Sequence, residues 1–415
     1  MALDLERRER DTVMIFKSIP APLACAMLGA SVCLNANAVE LSSEAQAGIR
    51  RGTQGSLLFV PEVVDARRRL PVIPLSITLL PGPPLLFSDL PEYLGPSNGV
   101  ALMEDVAEGD YRLYVYHVPG SKEVCKTVSV VVENLGKKKL RLRFARSAFP
   151  KPGMDYAAMG VAGLMEFFTG HNVPPPLSIA PGAWQVLDER LDQTVAADPQ
   201  LVHAFYEFHI NQPARIAVLQ RDTNQVSTDV VDVLPRLPRS LPGESPSGAG
   251  RGIFRTADIV ATNLYGSVVD TTNGVQRLLL ADGRRDPWVR GFDGLAGNMA
   301  VTNKGNYGVI YHIRLAWKSS DDRSLALLIG APGSRMGEEI RPMAAVKVSD
   351  GIWKGGWQAI SATGALSHQP GEVALAQKFA PPSPGTTNYL EIIYSPPGGS
   401  SLPTSLFFAP FQPLF

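Results

Sequence analysis

The nine residues VHAFYEFHI, 202–210, carry the densest set of ligand-forming side chains in the sequence. A two-residue strand period puts His203, Phe205, Glu207 and His209 on one face and Ala204, Tyr206, Phe208 and Ile210 on the other. Neighbours on one face are about 6.8 Å apart. Glu207 and His209 are therefore candidates to share a zinc or copper ion, with His203 too distant unless the strand bends. A half-exposed strand face accounts for the same residues. In GKKKLRLRFAR, 136–146, the same period lines Lys139, Arg141 and Arg143 along one face and sends Leu140, Leu142 and Phe144 to a core. Such a stripe suits an anionic polysaccharide, lipid headgroups or nucleic acid, and it equally protects a solvated sheet face against edge pairing. Trp353 and Trp357, four residues apart in GIWKGGWQAI, would stack on sugar rings if exposed and would be ordinary core if buried.

Other chemistry finds less support. Asp282, Asp286 and Asp293 fall in a breaker-rich loop and Asp321-Asp322 in a polar turn, so a pair of carboxylates facing across a cleft cannot be selected. GESPSGAG, 243–250, comes nearest to a nucleophile elbow, but no strand precedes it and no helix follows. The phosphate-loop pattern G-x-x-x-x-G-K-[ST] does not occur. No catalytic residue and no cofactor is assigned. Lys+Arg and Asp+Glu both number 39, which argues against a dedicated nucleic-acid partner.

Residues 14–38 match a secretory signal: Lys17, an apolar run over 19–34, then Ala36-Asn37-Ala38 ahead of cleavage before Val39. Met1 and Met14 are both candidate starts. The apolar run is shorter than the ~20 residues a spanning helix needs and contains Pro20 and Pro22, so no membrane span is expected in the mature chain. Processing removes Cys25 and Cys33, leaving Cys125 alone beside Thr127 and Val128 and no internal disulfide.

The elements that must position these residues are mostly strands. Gly 38 and Pro 35 exceed the average combined usage of about 12% and punctuate short apolar runs. YRLYVYHV, KTVSVVVENLG and KKKLRLRF read as an antiparallel meander, and residues 154–170 as a helix in which Gly160 and Gly163 weaken the pattern or permit close packing. Residues 234–252 lack periodicity and read as a linker. The opening of one half, Tyr111 with Tyr116-His117, echoes Tyr307 with Tyr311-His312, and Pro181-Gly182 echoes Pro384-Gly385. In NKGNYGVIYHIRLAW, 303–317, alternation sends Tyr307, Val309, Tyr311, Ile313, Leu315 and Trp317 to one core face, with His312 and Arg314 on the other. The prediction is an all-β chain of two Ig-like β-sandwich domains, 39–233 and 253–415, the first with a short helical insertion.

GNYGVIYHIRL, GIFRTADIVA and IIYSPPGGSSLP resemble a family of uncharacterised secreted bacterial proteins found in cyanobacteria and some other bacteria, some of them labelled by a copper-amine-oxidase N-terminal-like module. The resemblance is strongest over 251–415. It implies an exported β-rich protein and supplies no catalytic residue. The reading that follows is a secreted or periplasmic, non-enzymatic protein with a structural, adhesive or binding role at the cell envelope. Its partner would be an envelope polysaccharide or another envelope protein. A carbohydrate- or anionic-polymer-binding role and extracellular polymer degradation are the alternatives.

Overall fold

Among the described residues, alternating apolar residues in both halves pair into four sheets, and the class is all-β. The computed structural model describes residues 38–65, 69–240, 247–330, 344–360, 371–400 and 402–413. The expected signal, 1–38, lies outside the described residues except for its last one.

In the first sandwich, one sheet runs in the order Leu177–Ile179, Leu140–Ala148, Val202–Ile210, Gly109–Pro119, Leu85–Ser88. The facing sheet runs Trp184–Val186, Thr127–Asn134, Ala214–Arg221, Gly99–Val106. Leu113, Val115, Tyr206 and Phe208 from one meet Val128, Val130, Ile216 and Val218 from the other in a common core. The second sandwich repeats the plan. Asp258–Asn263, Ile310–Lys318, Asn388–Ser395, Ala344–Val348 and Trp357–Ile360 face Glu372–Phe379, Ser324–Gly330, Thr404–Phe411 and Gln276–Leu280. Tyr311, Ile313, Leu315 and Trp317 are buried there, as alternation predicted, while His312 and Arg314 are partly exposed.

The correspondence extends to hydrogen-bond detail. The first strand of each repeat runs parallel to its central strand, Leu85 opposite Arg112 and Asp258 opposite Ile310. The entry bond is the same in both: Arg112 N–H to the Pro84 carbonyl at 2.9 Å, and Ile310 N–H to the Ala257 carbonyl at 2.9 Å. The Tyr-His dipeptides nonetheless do not correspond. Tyr311 points into its sandwich, whereas Leu113 stands in that place in the first repeat and Tyr116 points out of it. Nor do the Pro-Gly turns match: one precedes Trp184–Val186 and the other Asn388–Ser395, which occupy different places in the repeat.

The expected boundary does not separate the sheets. Each repeat lends the strand before its first strand to the other repeat: Leu75–Leu80 pairs antiparallel with Asp258–Asn263, and Arg251–Phe254 with Leu85–Ser88. Leu57–Phe59 adds to the edge of the second sandwich, and Arg290–Asp293 and Met299–Thr302 extend the first. Residues 37–415 accordingly form one compact unit. The expected linker is laced into this unit. Val100 N–H donates to the Pro235 carbonyl at 2.9 Å, Leu237 N–H returns to the Val100 carbonyl at 2.8 Å, and the Leu237 side chain joins the first core. Residues 241–246 lie outside the described residues. Breakers in this segment mark an irregular path over apolar surface, and breaker composition alone does not distinguish such a path from a solvated spacer.

Two helices lock the N-terminus and the seam. Ser43–Arg51 is capped by the Ser42 hydroxyl, which accepts from Ala45 N–H at 3.2 Å. At its other end the buried Lys378 ammonium donates to the carbonyls of Ile49, Arg50 and Gly52 at 3.0–3.1 Å, placing a cation on the negative end of the helix. The predicted insertion is Tyr156–Thr169, capped by Asp155. Its two glycines are its contact points: a methyl at Gly163 would overlap the His203 ring, and one at Gly160 would overlap the Gly398 backbone. Phe167 stacks on Phe205 at 3.8 Å and Phe168 on Trp357 at 3.7 Å, so this helix bridges both sandwiches.

Candidate tyrosine and carboxylate cleft

Strand Leu85–Ser88 ends at the seam, and the next residues, Asp89 and Glu92, enter a cleft of about 290 Å³. Tyr114 and Tyr116 reach it from the central strand Gly109–Pro119 because even-numbered positions there face away from the first core. Gly248 and Ala249 form one wall, Lys304 and Tyr307 another, and Gly398 with Gly399 a third. Both repeats therefore build this site, and the segment before the exchanged strand Arg251–Phe254 contributes to it.

The glycines set its width. Gly248 at φ +104° lies against the Asp89 backbone, where any side chain would collide with the Asp89 carbonyl. Gly398 rests on Tyr116 and beside the Tyr114 hydroxyl. The polar groups are then closely held. Asp89 is 6% exposed, and its Oδ2 accepts from Ala249 N–H at 2.6 Å while Oδ1 has no partner. Burial, reinforced by the nearby Glu92, pushes the Asp89 carboxyl well above the usual carboxylate range, and burial raises Glu92 as well. Burial also raises Tyr114, Tyr116 and Tyr307, each with Asp89 as a neighbour. Such a cleft offers aromatic surface, hydroxyls and two carboxylates to one small ligand.

Behind the cleft, Ser88 Oγ and His117 Nε2 lie 2.8 Å apart, with His117 Nδ1 at 2.9 Å from the Pro91 carbonyl. Both residues are fully buried, and burial lowers the imidazole to about 4. The pair ties adjacent strands together and is sealed from substrate. His203 is likewise fully buried beneath Gly163, against Tyr114 and Tyr116, with burial holding it at about 4.

The strand alternation predicted for 203–210 is present, but Glu207 and His209 do not share a site. Glu207 accepts from Arg112 Nε at 2.8 Å, and Arg112 reaches on to Asp258 at 2.6 Å, so the carboxylate is consumed in an ion triad that joins the two repeats. His209 pairs with Asp110 at 2.9 Å at the exposed end of the strand. Among the described residues no group of three or more metal-ligating side chains gathers. A strand pattern shows which face a carboxylate occupies and is silent on the arginine awaiting it across the sheet.

The tryptophans are also engaged. Trp353 is partly buried with the Lys378 ammonium 4.9 Å from its ring centroid, and Trp357 has one face covered by Phe168. Lys139, Arg141 and Arg143 are exposed, with Leu140 and Leu142 buried behind them. Asp282 caps a turn, accepting three backbone N–H groups at 2.8–2.9 Å; Asp286 accepts from the Tyr311 hydroxyl at 2.7 Å, and Asp293 holds Arg251 at 2.8 Å. Cys125 is exposed. His368 lies outside the described residues.

Sequence reasoning missed the cleft residues. Tyr307 was assigned to the strand core, but the strand begins at Ile310, and Gly308 at φ +76° turns Tyr307 into the cleft. The available signal was the period-two pair Tyr114 and Tyr116 opposite PPGG and GAG, two segments whose glycines permit close approach.

One buried carboxylate outside the cleft makes a pH prediction. Glu104, 5% exposed, is pushed up to about 7 by burial, with Asp293 and Asp105 adding to the rise against a 2.8 Å bond from Gly294 N–H. A raised carboxyl favours the folded state most below its unfolded value near 4.5, and that contribution is lost as pH rises through 7. Urea unfolding from pH 4.5 to 7.5 should show about 3 kcal/mol of decline from this group. In Glu104→Gln the slope should flatten; an unchanged slope would remove Glu104 as its source.

No family model matches the chain, and no curated protein matches it. Among solved structures, the CUB1-EGF-CUB2 domain of human MASP-1/3 aligns over 74% of this chain and 99% of its own, at 9% identity and a TM-score of 0.15. No helix among the described residues is long and apolar enough to cross a membrane.

Proposed function

We propose that this chain is an exported, non-enzymatic binding protein of the cell envelope, and that the cleft between its two repeats takes a unit of an envelope saccharide. The signal pattern at 14–38 supports export. The observation that carries the binding reading is the cleft itself, where the rings and hydroxyls of Tyr114, Tyr116 and Tyr307 meet the carboxylates of Asp89 and Glu92. Sugars present apolar ring faces and a fringe of hydroxyl donors, and aromatic side chains with acceptor oxygens complement both. The exchanged strands hold the two sides of the cleft in fixed relation, which lowers the ordering cost of binding. Screening on a glycan array, followed by calorimetry on the best ligand, tests this. Glu92→Gln should weaken affinity at least tenfold, about 1.4 kcal/mol, without changing the unfolding midpoint. Equal affinity in the variant would sink the assignment.

A second reading rests on the same carboxylates. A buried aspartic acid whose carboxyl is pushed well above the usual range, beside a second carboxyl, is the arrangement that acid–base cleavage of a glycosidic bond uses. Release of reducing ends from envelope polysaccharide, abolished by Asp89→Asn, would favour hydrolysis over binding.

A further inference from the structure

Several buried and half-buried carboxylates of this protein meet a cation, while Glu104 and Asp286 are held by hydrogen bonds from Gly294 N–H and from Ala281 N–H and the Tyr311 hydroxyl. Glu207 and Asp258 share Arg112, Asp293 holds Arg251, Asp192 takes Arg221, Asp188 takes Arg190 and Asp270 takes Lys318. Asp89 and Glu92 differ in being two such acids side by side in one cleft. Among the described residues neither forms an ion pair, and Lys304, exposed at the cleft rim, pairs with neither. The two acids lie close enough for Glu92 to disfavour the charge on Asp89.

The unfilled acceptor is independent of that charge argument. Asp89 Oδ1 is shut off from solvent and has no hydrogen-bond partner, although Asp89 lines the cleft. A buried acceptor left unmade costs about 1–3 kcal/mol, more for a charged group, and a donor arriving with the ligand would recover it. A donor that also carries positive charge would in addition offset the penalty of ionising two neighbouring carboxyls. Three tyrosines around the acids add the negative ring faces that attract a cation.

We propose that the saccharide received by this cleft carries a free ammonium group, so that it is an amino sugar with its charged nitrogen between Asp89 and Glu92 and its hydroxyls toward Tyr116 and Tyr307. This rests on the saccharide reading above for the body of the ligand and on the unpaired carboxylates for its charge. An N-acetylated sugar offers an amide and an added methyl where a compact cation belongs, and a neutral hexose offers no charge.

Calorimetry at pH 6 with a glucosamine tetrasaccharide, its fully N-acetylated counterpart and ethanolamine separates the two parts. The free-amine tetrasaccharide should bind at least tenfold more tightly than the acetylated one, and Glu92→Gln, confirmed folded by its unfolding midpoint, should reduce that preference to threefold or less. Equal or tighter binding of the acetylated oligomer, or a preference unchanged in Glu92→Gln, overturns the cation assignment while leaving a saccharide site standing. If neither tetrasaccharide binds, the saccharide reading fails. Ethanolamine then decides the cation assignment alone: binding lost in Glu92→Gln supports it, and no binding overturns it.

Discussion

Replacing Arg112 with methionine is expected to cost about 3 kcal/mol of folding stability, because it leaves Glu207 and Asp258 charged, half-buried and without their shared partner. The guanidinium binds three groups, the two carboxylates and the Ala257 carbonyl at 3.2 Å, and Asp258 belongs to the strand opposite the one Leu75–Leu80 lends across. The loss should appear as a lower urea midpoint for the whole chain in a single transition, since the strands on either side of the ion triad belong to different repeats. Adding Glu207→Gln and Asp258→Asn to Arg112→Met should restore more than half of the loss by removing the stranded charges. If the single variant unfolds at the native midpoint, the triad contributes nothing. If it unfolds in two separated steps, the repeats are not cooperative and the strand exchange does not couple them.

The second large effect is expected at Gly160. A valine there would drive its side chain into the Gly398 backbone, and backbone cannot yield as a flexible side chain can. A cost of about 3 kcal/mol is expected despite valine's better helix propensity over glycine. Amide exchange should locate the damage: residues 156–169 and the 396–400 segment should lose protection, with the first core unaffected. Uniform loss would point to general destabilisation, and an unchanged exchange pattern with native stability would mean that the helix does not sit on Gly398. Gly398 also lines the cleft, so the same variant should weaken ligand binding by displacing that wall.

These two positions show where the sequence was legible. The period-two patterns at 202–210 and 310–318 gave the strands, and at 310–318 also the buried face; Val202–Ile210 is covered on both sides along most of its length, so its alternation did not show that His203 and Phe205 are buried too. The repeat was visible in the order of strands, yet the dipeptides that drew attention to it, Tyr116-His117 and Tyr311-His312, lie out of phase and face differently. Strand exchange left no mark in the sequence. Leu75–Leu80 and Arg251–Phe254 look like any edge strands, and which sheet receives them depends on tertiary packing rather than on local pattern.

The site was the least legible part, for a related reason. Asp89 and Glu92 sit beyond the end of a short strand, Gly248 and Ala249 in a segment whose composition read as a linker, and Gly398 and Gly399 in a turn near the C-terminus. Spacing within one element finds sites built on one element. Here five separate segments converge, and the residues that did stand out in sequence, Glu207, Trp353 and Trp357, owe their types to Arg112, Lys378 and Phe168.

The most direct test sets the cleft against the surface that sequence alone would favour. One envelope saccharide should be titrated into the native chain, into Glu92→Gln, and into a variant combining Arg141→Gln with Arg143→Gln. Affinity should fall at least tenfold in Glu92→Gln and change less than twofold in the arginine variant. Binding that survives in Glu92→Gln and is lost with the two arginines would place recognition on the exposed basic strand and contradict the cleft as the functional site.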